Sequence, residues 1–283
     1  MFPEPIQKAA FFSRGSYRIV LYFAIIVWLL PLAAVFLTSF RSLADINSGN
    51  YWGWPTEFAL VENYTQIFTV TPMLKYFFNS LVITIPTVIG TLALSSLAGY
   101  SLAKHNFRGN FLIFALFIAG NFVPAQILMI PVRNLTLYFG VYDTKMGLIL
   151  FHTAFQTGFC TFFLRGFIKE LPHEIVESAR IDGASELRVF WNIILPLIRP
   201  ALAALAVLEF TFIWNDYFWA LVLVQGDEAR PITLGIQALR GRWTSFWHLI
   251  SAGSIVAALP PVFMFFMLQK HFIAGLTMGA VKE

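Results

Sequence analysis

The sequence predicts an all-α integral membrane protein with six transmembrane helices, and composition and residue order both support this. Hydrophobic residues make up 58% of the 283 residues and charged residues only 12%, and the mean hydropathy is +0.71. A soluble domain usually contains about 45 to 50% apolar and about 25% charged residues. The apolar residues also occur in long runs instead of alternating with polar ones. We therefore treat residues 1–283 as a single transmembrane domain.

Six apolar runs are long enough to cross the bilayer as helices, since about 20 residues at 1.5 Å per residue span roughly 30 Å of hydrocarbon. The first run exceeds the apolar stretch of a signal peptide, which is about 7 to 15 residues, so we expect it to remain as an anchor. The predicted spans cover residues 18–40, 77–103, 111–132, 142–166, 201–225 and 248–272.

The distribution of lysine and arginine predicts the orientation, because positively charged loops are retained in the cytoplasm. With the N-terminus inside, about 12 of the 19 basic residues lie in inside segments. Both termini and the loop 167–200 are therefore predicted to be cytoplasmic. The outside segment 41–75 is long enough for a structured cap that touches an external partner.

Several classes of function are excluded by what the sequence lacks. Its one cysteine, Cys160, lies in an apolar run and has no partner for an intrachain disulfide. The five histidines show no HExxH spacing, and no GxxxxGK[ST] loop occurs, so we expect no metal, no cofactor and no ATP-binding loop of its own. The basic residues form no stripe with interleaved aromatics, so nucleic acid is not a predicted partner.

The loop 167–200 predicts a short helix, a tight turn and a second helix. Pro172 suits a first helical turn, Glu174 favours the positive end of the helix dipole, and Gly183 provides the positive φ of a helix stop. Ser185 can cap the second helix, which we expect to end at Pro196 and Pro200. Apolar residues should form one face of each helix: Ile175, Val176 and Ala179 on the first, and Val189, Phe190, Ile193 and Ile194 on the second.

Two interpretations of this loop follow from the residues alone. A helix, turn and helix with one apolar face and small residues at its bend suits docking into a cleft of another protein. An interfacial helix that rests on lipid headgroups would carry a similar pattern.

The loop also resembles a known family motif. The string Glu177-Ser-Ala-Arg-Ile-Asp-Gly-Ala184, followed by Leu195-Pro196, resembles the EAA loop of permease subunits of bacterial ABC importers. That motif reads Glu-Ala-Ala, three residues, Gly and a later Ile-x-Leu-Pro, and Ser178 replaces its first alanine. The Asp-Gly-Ala variant and the tail Gly275-Leu-Thr-Met-Gly-Ala-Val-Lys282 resemble the carbohydrate branch, similar to the smaller membrane subunit of maltose-type importers.

The resemblance implies a type I ABC importer permease of the bacterial inner membrane, with the loop as a coupling helix docked on a cytoplasmic ATPase. It implies five kinds of partner: a second permease subunit, two copies of the ATPase that binds ATP, an external solute-binding protein, a sugar and the membrane. The tail 277–282 would make an accessory contact with the ATPases. The candidate coupling residues are Glu177, Ser178, Ala179, Asp182, Gly183, Ala184, Leu195 and Pro196.

Polar residues inside the predicted spans are candidates for a substrate pathway, because buried charges in hydrocarbon are costly. Glu209 and Asp216 are seven residues apart, which places them on one face of a continuous helix. Amides, carboxylates and aromatic faces suit a sugar, although the same groups can bond to neighbouring helices. The candidates are Glu209, Trp214, Asn215, Asp216, Tyr217 and Gln126.

Two other functions were compared with the importer prediction. An ion-coupled secondary transporter without an ATPase is the alternative, but it would need a coupling-ion site and usually internal symmetry, and neither is apparent. A membrane enzyme would need a convergent catalytic set, which the scattered histidines and single cysteine do not provide.

Overall fold

The computed structural model describes residues 11–241 and 245–278, with side chains described for 15–241 and 245–269. Within these ranges the chain forms fourteen α-helices and one turn of π-helix, and its only β-structure is two isolated bridges. The all-α prediction is confirmed. The helices are α1 (Phe11–Thr38), α2 (Leu43–Asn47), α3 (Leu60–Thr69), α4 (Met73–Lys104), α5 (Asn110–Asn121), α6 (Ala125–Tyr138), α7 (Lys145–Glu170), α8 (His173–Ile181), α9 (Glu186–Val189), α10 (Leu195–Leu197), α11 (Arg199–Trp214), α12 (Phe218–Leu223), α13 (Ile232–Ala238) and α14 (Trp247–Met278).

Four of the described helices are long and apolar enough to cross a membrane, and there are up to six spans if each of two bent helix pairs counts as one. The four are α1, α4, α7 and α14, which correspond to the first, second, fourth and sixth predicted spans. The chain is therefore a multi-pass membrane protein. The predicted tail contact at 277–282 lies largely outside the described residues, which end at residue 278.

The third predicted span, 111–132, is not one helix. It consists of α5 and α6, which meet at 103°. Pro124 caps α6 with φ −59° and ψ 129°. Because proline lacks an N–H group and disfavours helical geometry in the residue before it, the helix ends at this point.

The fifth predicted span, 201–225, is also interrupted. Its main helix α11 ends at Trp214, Asn215 is the C-cap, and the short helix α12 begins at Phe218. The prediction that Glu209 and Asp216 lie on one face of a continuous helix is therefore wrong. Asp216 lies beyond the helix end and caps α12, whose backbone N–H groups at Trp219 and Ala220 donate to its carboxylate.

Contacts divide the chain into two compact units, of which the first comprises Met1–Thr71 and Leu239–Val256. Its segment after α1 is ordered by buried polar bonds. The Asn63 amide donates to the backbone oxygens of Ser39 and Arg41. The buried Arg41 guanidinium lies beside Asp45 and donates to the Gly53 oxygen. These bonds build a structured cap in the segment that follows α1.

The second unit comprises Pro72–Ala238 and Ala257–Glu283, and the packing of α4 against α7 dominates it. A Cβ atom added at Gly99 of α4 would lie 3.1 Å from the Arg165 nitrogen of α7, so the absence of a side chain permits this close approach. The single-domain assignment stays a prediction, because contact density alone does not define a folding unit.

An apolar cluster in the second unit joins the loop 167–200 to the long helices. It contains side chains from α4, α7, α8, α11 and the segment between α8 and α11. Its buried members are Tyr100, Cys160, Leu164, Ile168, Val176, Ala179, Val189, Phe190, Ile194, Ile198, Ala201 and Leu205.

Candidate functional site

The first helix of the loop, α8, forms as its sequence predicts. Pro172 is the N-cap, and Glu174 lies in the first turn, where the helix dipole favours a negative charge. The helix ends at Ile181 with Asp182 as its C-cap, and Gly183 follows with φ +80°. Because glycine adopts this conformation without the strain that most other residues incur, Gly183 sets the direction in which the chain leaves α8.

The candidate coupling residues of α8 and its turn divide by exposure. Glu177, Ser178, Asp182 and Gly183 are exposed, and the carboxylates of Glu177 and Asp182 have no hydrogen-bond or ion-pair partner among the described residues. Ala179 is only 8% exposed and packs in the apolar cluster. The exposed residues are thus available to a partner, whereas Ala179 attaches α8 to its own bundle.

The apolar side of α8 is narrower than predicted, and the turn carries apolar side chains that the sequence analysis missed. Of the three residues predicted to form one apolar face, Val176 and Ala179 are buried, whereas Ile175 is 38% exposed. Ile181 and Leu187 are 86% and 66% exposed, on either side of Gly183. Unpaired carboxylates next to exposed apolar side chains are typical of a surface that another protein covers.

The second helix of the loop is capped and ends as predicted. The Ser185 hydroxyl accepts the backbone N–H of Arg188, and one turn of π-helix, Phe190–Ile194, follows α9. The helical stretch ends at Leu197, between Pro196 and Pro200, and the chain bends by 73° before α11 begins at Arg199. Pro196 and Pro200 lack the N–H groups that would bond to preceding carbonyls, which explains the end of the helix at this point.

Leu195 and Pro196 are half-buried, as is Ala184 at the turn. Leu195 and Ala184 pack against the apolar cluster. Leu195 and Ala184 therefore support the loop from within, and the exposed surface consists of α8 and the turn after it.

A polar hub around Glu186 fastens the loop to the C-terminal end of α4. Tyr100 donates its hydroxyl to one Glu186 oxygen at 2.7 Å, and the His105 Nε2 atom lies 3.0 Å from the same oxygen. The Arg180 Nε atom donates to the other oxygen at 2.7 Å. One carboxylate thus joins α8, α9 and α4. None of these four residues carries a sequence feature that predicts this arrangement.

Glu186 and Arg180 form a charged pair in the hub that is partly exposed to water. The Arg180 guanidinium, assisted by the Tyr100 hydroxyl, lowers the pKa of Glu186 to about 2, although partial burial opposes this shift. The same ion pair raises the pKa of Arg180. The side chains of Arg180, Glu186 and His105 are 37%, 47% and 34% exposed, so water screens the charges. The hub borders an open cavity of about 540 Å³.

A second tie between the loop and α4 lies one turn along the helix. Lys104 is buried and donates its ammonium to the backbone oxygen of Leu171 at 2.6 Å. This bond holds the segment that precedes α8, whereas the Glu186 hub holds the segment that follows it.

Two of the substrate-pathway candidates are part of the protein interior. Glu209 is fully buried; one of its carboxylate oxygens accepts the Cys160 thiol at 3.2 Å, and the other has no partner among the described residues. Trp214 is 1% exposed, donates its indole N–H to the Ala257 oxygen and stacks on Phe210. Trp214 therefore packs the core of the second unit and offers no face to a solute.

In contrast to Glu209 and Trp214, some of the candidates at the break between α11 and α12 are exposed. The Asn215 amide donates to the Thr211 oxygen at the exposed helix end, and Tyr217 is 38% exposed. Asp216 is mostly buried, and besides capping α12 it lies 3.4 Å from the His152 Nε2 atom on α7. Gln126, on α6, is exposed. Asn215 and Tyr217 are thus both exposed at the break, while Asp216 joins α7 and α12.

Within the described residues, no group of three or more His, Cys, Asp or Glu side chains is arranged to hold a metal ion. The arrangement supports docking and mechanical transmission at the loop, with hydrogen-bonding groups at the helix break.

Comparison with protein families matches residues 92–277 to the family described as binding-protein-dependent transport system inner membrane component. The chain is 33% identical over 284 residues to the osmoprotective compounds uptake permease protein GgtD of Synechocystis sp., covering 98% of this chain and 95% of that one. It is 32% identical over 271 residues to the melibiose/raffinose/stachyose import permease protein MelC of Bacillus subtilis, covering 94% and 97%.

Among solved structures, the chain resembles a subunit of a bacterial ABC transporter involved in the import of the acidic polysaccharide alginate. The TM-score is 0.80 at 22% identity, covering 93% of this chain and 99% of that one. This likeness concerns the fold.

Proposed function

Because the chain belongs to the family of binding-protein-dependent transport system inner membrane components, we propose that it forms half of the translocation pathway of an ATP-binding-cassette importer. It pairs with a second permease subunit. ATP is bound and hydrolysed by two copies of a cytoplasmic partner, so this subunit is non-catalytic and needs no cofactor of its own. An external binding protein delivers the solute.

The observation that carries this proposal is the exposed surface of α8 and the turn at Gly183. Among the residues that the structure describes, the carboxylates of Glu177 and Asp182 there have no hydrogen-bond or ion-pair partner, and Ile181 is 86% exposed. Exposed apolar side chains cost free energy in water, so a protein partner explains this surface better than solvent does. We place both termini and this surface in the cytoplasm, where the ATPases are.

The packing of the loop against α7 and α11 explains how a movement of the loop is transmitted. Val176 and Ala179 on the underside of α8 pack in the same cluster as Leu164 and Ile168 of α7 and Ala201 of α11. Protein interiors are closely packed and deform little, so a displacement of α8 is passed to both helices. Closure of the ATPases on ATP binding would thereby move the walls of the pathway.

The solute is a sugar or a sugar-like compound. Support comes from the melibiose/raffinose/stachyose import permease and the osmoprotective compounds permease, which are similar along nearly the whole chain. Asn215, Tyr217 and Gln126 are the exposed candidates for the pathway, because an amide or a phenol can bond a sugar hydroxyl. Glu209 and Trp214 are buried and are not proposed as solute contacts.

The test is reconstitution with the partner permease, the ATPase and the binding protein, comparing the native chain with the variants Gly183→Pro and Glu177→Lys. Gly183→Pro is incompatible with φ +80°, and Glu177→Lys reverses the charge of the docking surface. Both should insert normally but lose ATPase association and solute-stimulated hydrolysis. Gly183→Asn is the matched control, since asparagine tolerates positive φ and nothing lies within 4 Å of this position.

If Gly183→Pro and Glu177→Lys keep native hydrolysis and uptake, the docking assignment is wrong. If the chain transports solute without any ATPase, it is an ion-coupled secondary transporter.

A further inference from the structure

We propose that Glu186 is a positioning residue that latches the loop 167–200 to α4, so that a movement of α8 reaches α4 directly as well as α7 and α11. This inference rests on the proposed coupling function. It adds α4 as a separate route and names the group that connects it.

The geometry of the carboxylate supports a latch instead of an incidental surface pair. Its two oxygens are used in different directions: one faces Tyr100 and His105 at the end of α4, and the other faces Arg180 on α8. Arg180 and Glu186 lie on opposite sides of Gly183, so the bond also bridges the turn between α8 and α9. An ion pair within one helix would have neither effect.

The aromatic ring of Tyr100 reinforces this connection. It is 4% exposed and lies 5.7 Å from the Phe190 ring, just after α9, and 5.3 Å from the His105 ring. The hydroxyl that reaches Glu186 is therefore carried by a ring that packing holds in place. Of the four hub residues, Tyr100 is the most deeply buried and provides the fixed end of the latch.

Water reaches part of the hub, because a cavity adjoins Tyr100, Ser101 and Leu187. An exposed ion pair contributes little stability by itself. The latch therefore depends on the buried Tyr100 as well as on the Arg180–Glu186 pair.

The test measures a distance within the assembled complex. Spin labels at His173→Cys on α8 and Leu94→Cys on α4 use two exposed positions outside the hub, and the native Cys160 is fully buried and will not react. The distance is recorded with and without a non-hydrolysable ATP analogue. In the native hub the two labels should move together, so the distance stays constant.

In Glu186→Ala the ATPase should still co-purify, because the exposed surface of α8 is intact, but the label distance should change when the nucleotide analogue binds. The amount of solute transported per ATP should fall by about two- to thirtyfold, the range of measured coupling effects. Tyr100→Phe removes only the hydroxyl and should act in the same direction with a smaller change. Glu170→Ala, an exposed carboxylate at the end of α7, is the matched control and should behave as native.

The latch is disproved if the native label distance already changes on nucleotide binding, or if Glu186→Ala keeps the native distance and transport ratio. Failure of the native chain to bind the ATPase would disprove the coupling function itself, which separates the two proposals.

Discussion

The two ends of α4 are held by different kinds of bonds. At its N-terminal end the Asn79 amide is 3% exposed and donates to the backbone oxygens of Glu228 and Arg230 at 3.0 and 2.9 Å, while Lys145 donates to the amide oxygen at 2.8 Å. At its C-terminal end the hub side chains of Arg180, Glu186 and His105 are one third to one half exposed, whereas Tyr100 and Lys104 at the same end are buried.

This difference indicates which end is fixed and which is adjustable. Removing one partner of a buried hydrogen bond leaves the other unsatisfied, at a cost of about 1 to 3 kcal/mol. An exposed ion pair contributes about 0 to 1 kcal/mol and is screened by salt. The N-terminal end of α4 is therefore a rigid attachment. The exposed ion pairs of the Glu186 hub are weak individually, so the strength of the C-terminal end must come from the buried Lys104 bond and, above all, from the apolar packing beneath the hub.

The largest loss of stability is expected when that apolar packing is disrupted. Phe190 is 2% exposed beside Tyr100, and Phe190→Ala should lower the free energy of unfolding by about 3 to 5 kcal/mol, the cost of a cavity in a packed core. Denaturant titration in detergent measures it. Trp191→Ala, at the adjacent position, which is 58% exposed, is the control and should cost less than about 1 kcal/mol. Equal losses would show that apolar packing is not what holds this end.

The next largest loss of stability is expected at the N-terminal end of α4. Asn79→Leu keeps the volume but leaves two backbone oxygens and the Lys145 ammonium without the amide, so we expect a loss of about 2 to 3 kcal/mol in the same titration. Asn121→Leu provides a control, because that amide bonds only within its own exposed helix end, and it should change stability by less than about 0.5 kcal/mol. A similar small change at Asn79 would contradict the description of this end as rigid.

The structural features that could be predicted from the sequence are those that neighbouring residues determine. The long apolar runs give α4 and α7, and Gly183 and Ser185 terminate and cap helices as their chemistry requires, because these features depend on residues within a few positions. The breaks near Pro124 and Asn215 lie inside apolar runs, and hydropathy alone does not register them.

The contacts of α4 could not be predicted, because they depend on how distant segments pack. Tyr100 and Glu186 are 86 residues apart, and Asn79 and Arg230 are 151 apart. The candidate coupling residues Glu177 and Asp182 were found through the loop motif, whereas Glu186 has no feature in the sequence that marks it as a hub.

The smallest expected changes in stability distinguish two lysines near the N-terminal end of α4. Lys75 pairs with Glu228, whose side chain is 88% exposed, so Lys75→Met should change the free energy of unfolding by less than about 0.5 kcal/mol. Lys145 is half-buried and bonds the Asn79 amide oxygen, so Lys145→Met should cost about 1 kcal/mol. The Lys145 contribution should persist at high salt, because a less exposed hydrogen bond is screened less than a surface pair. If both variants lose the same amount, and salt removes both losses, the N-terminal end is held by surface charge and the contrast between the two ends of α4 fails.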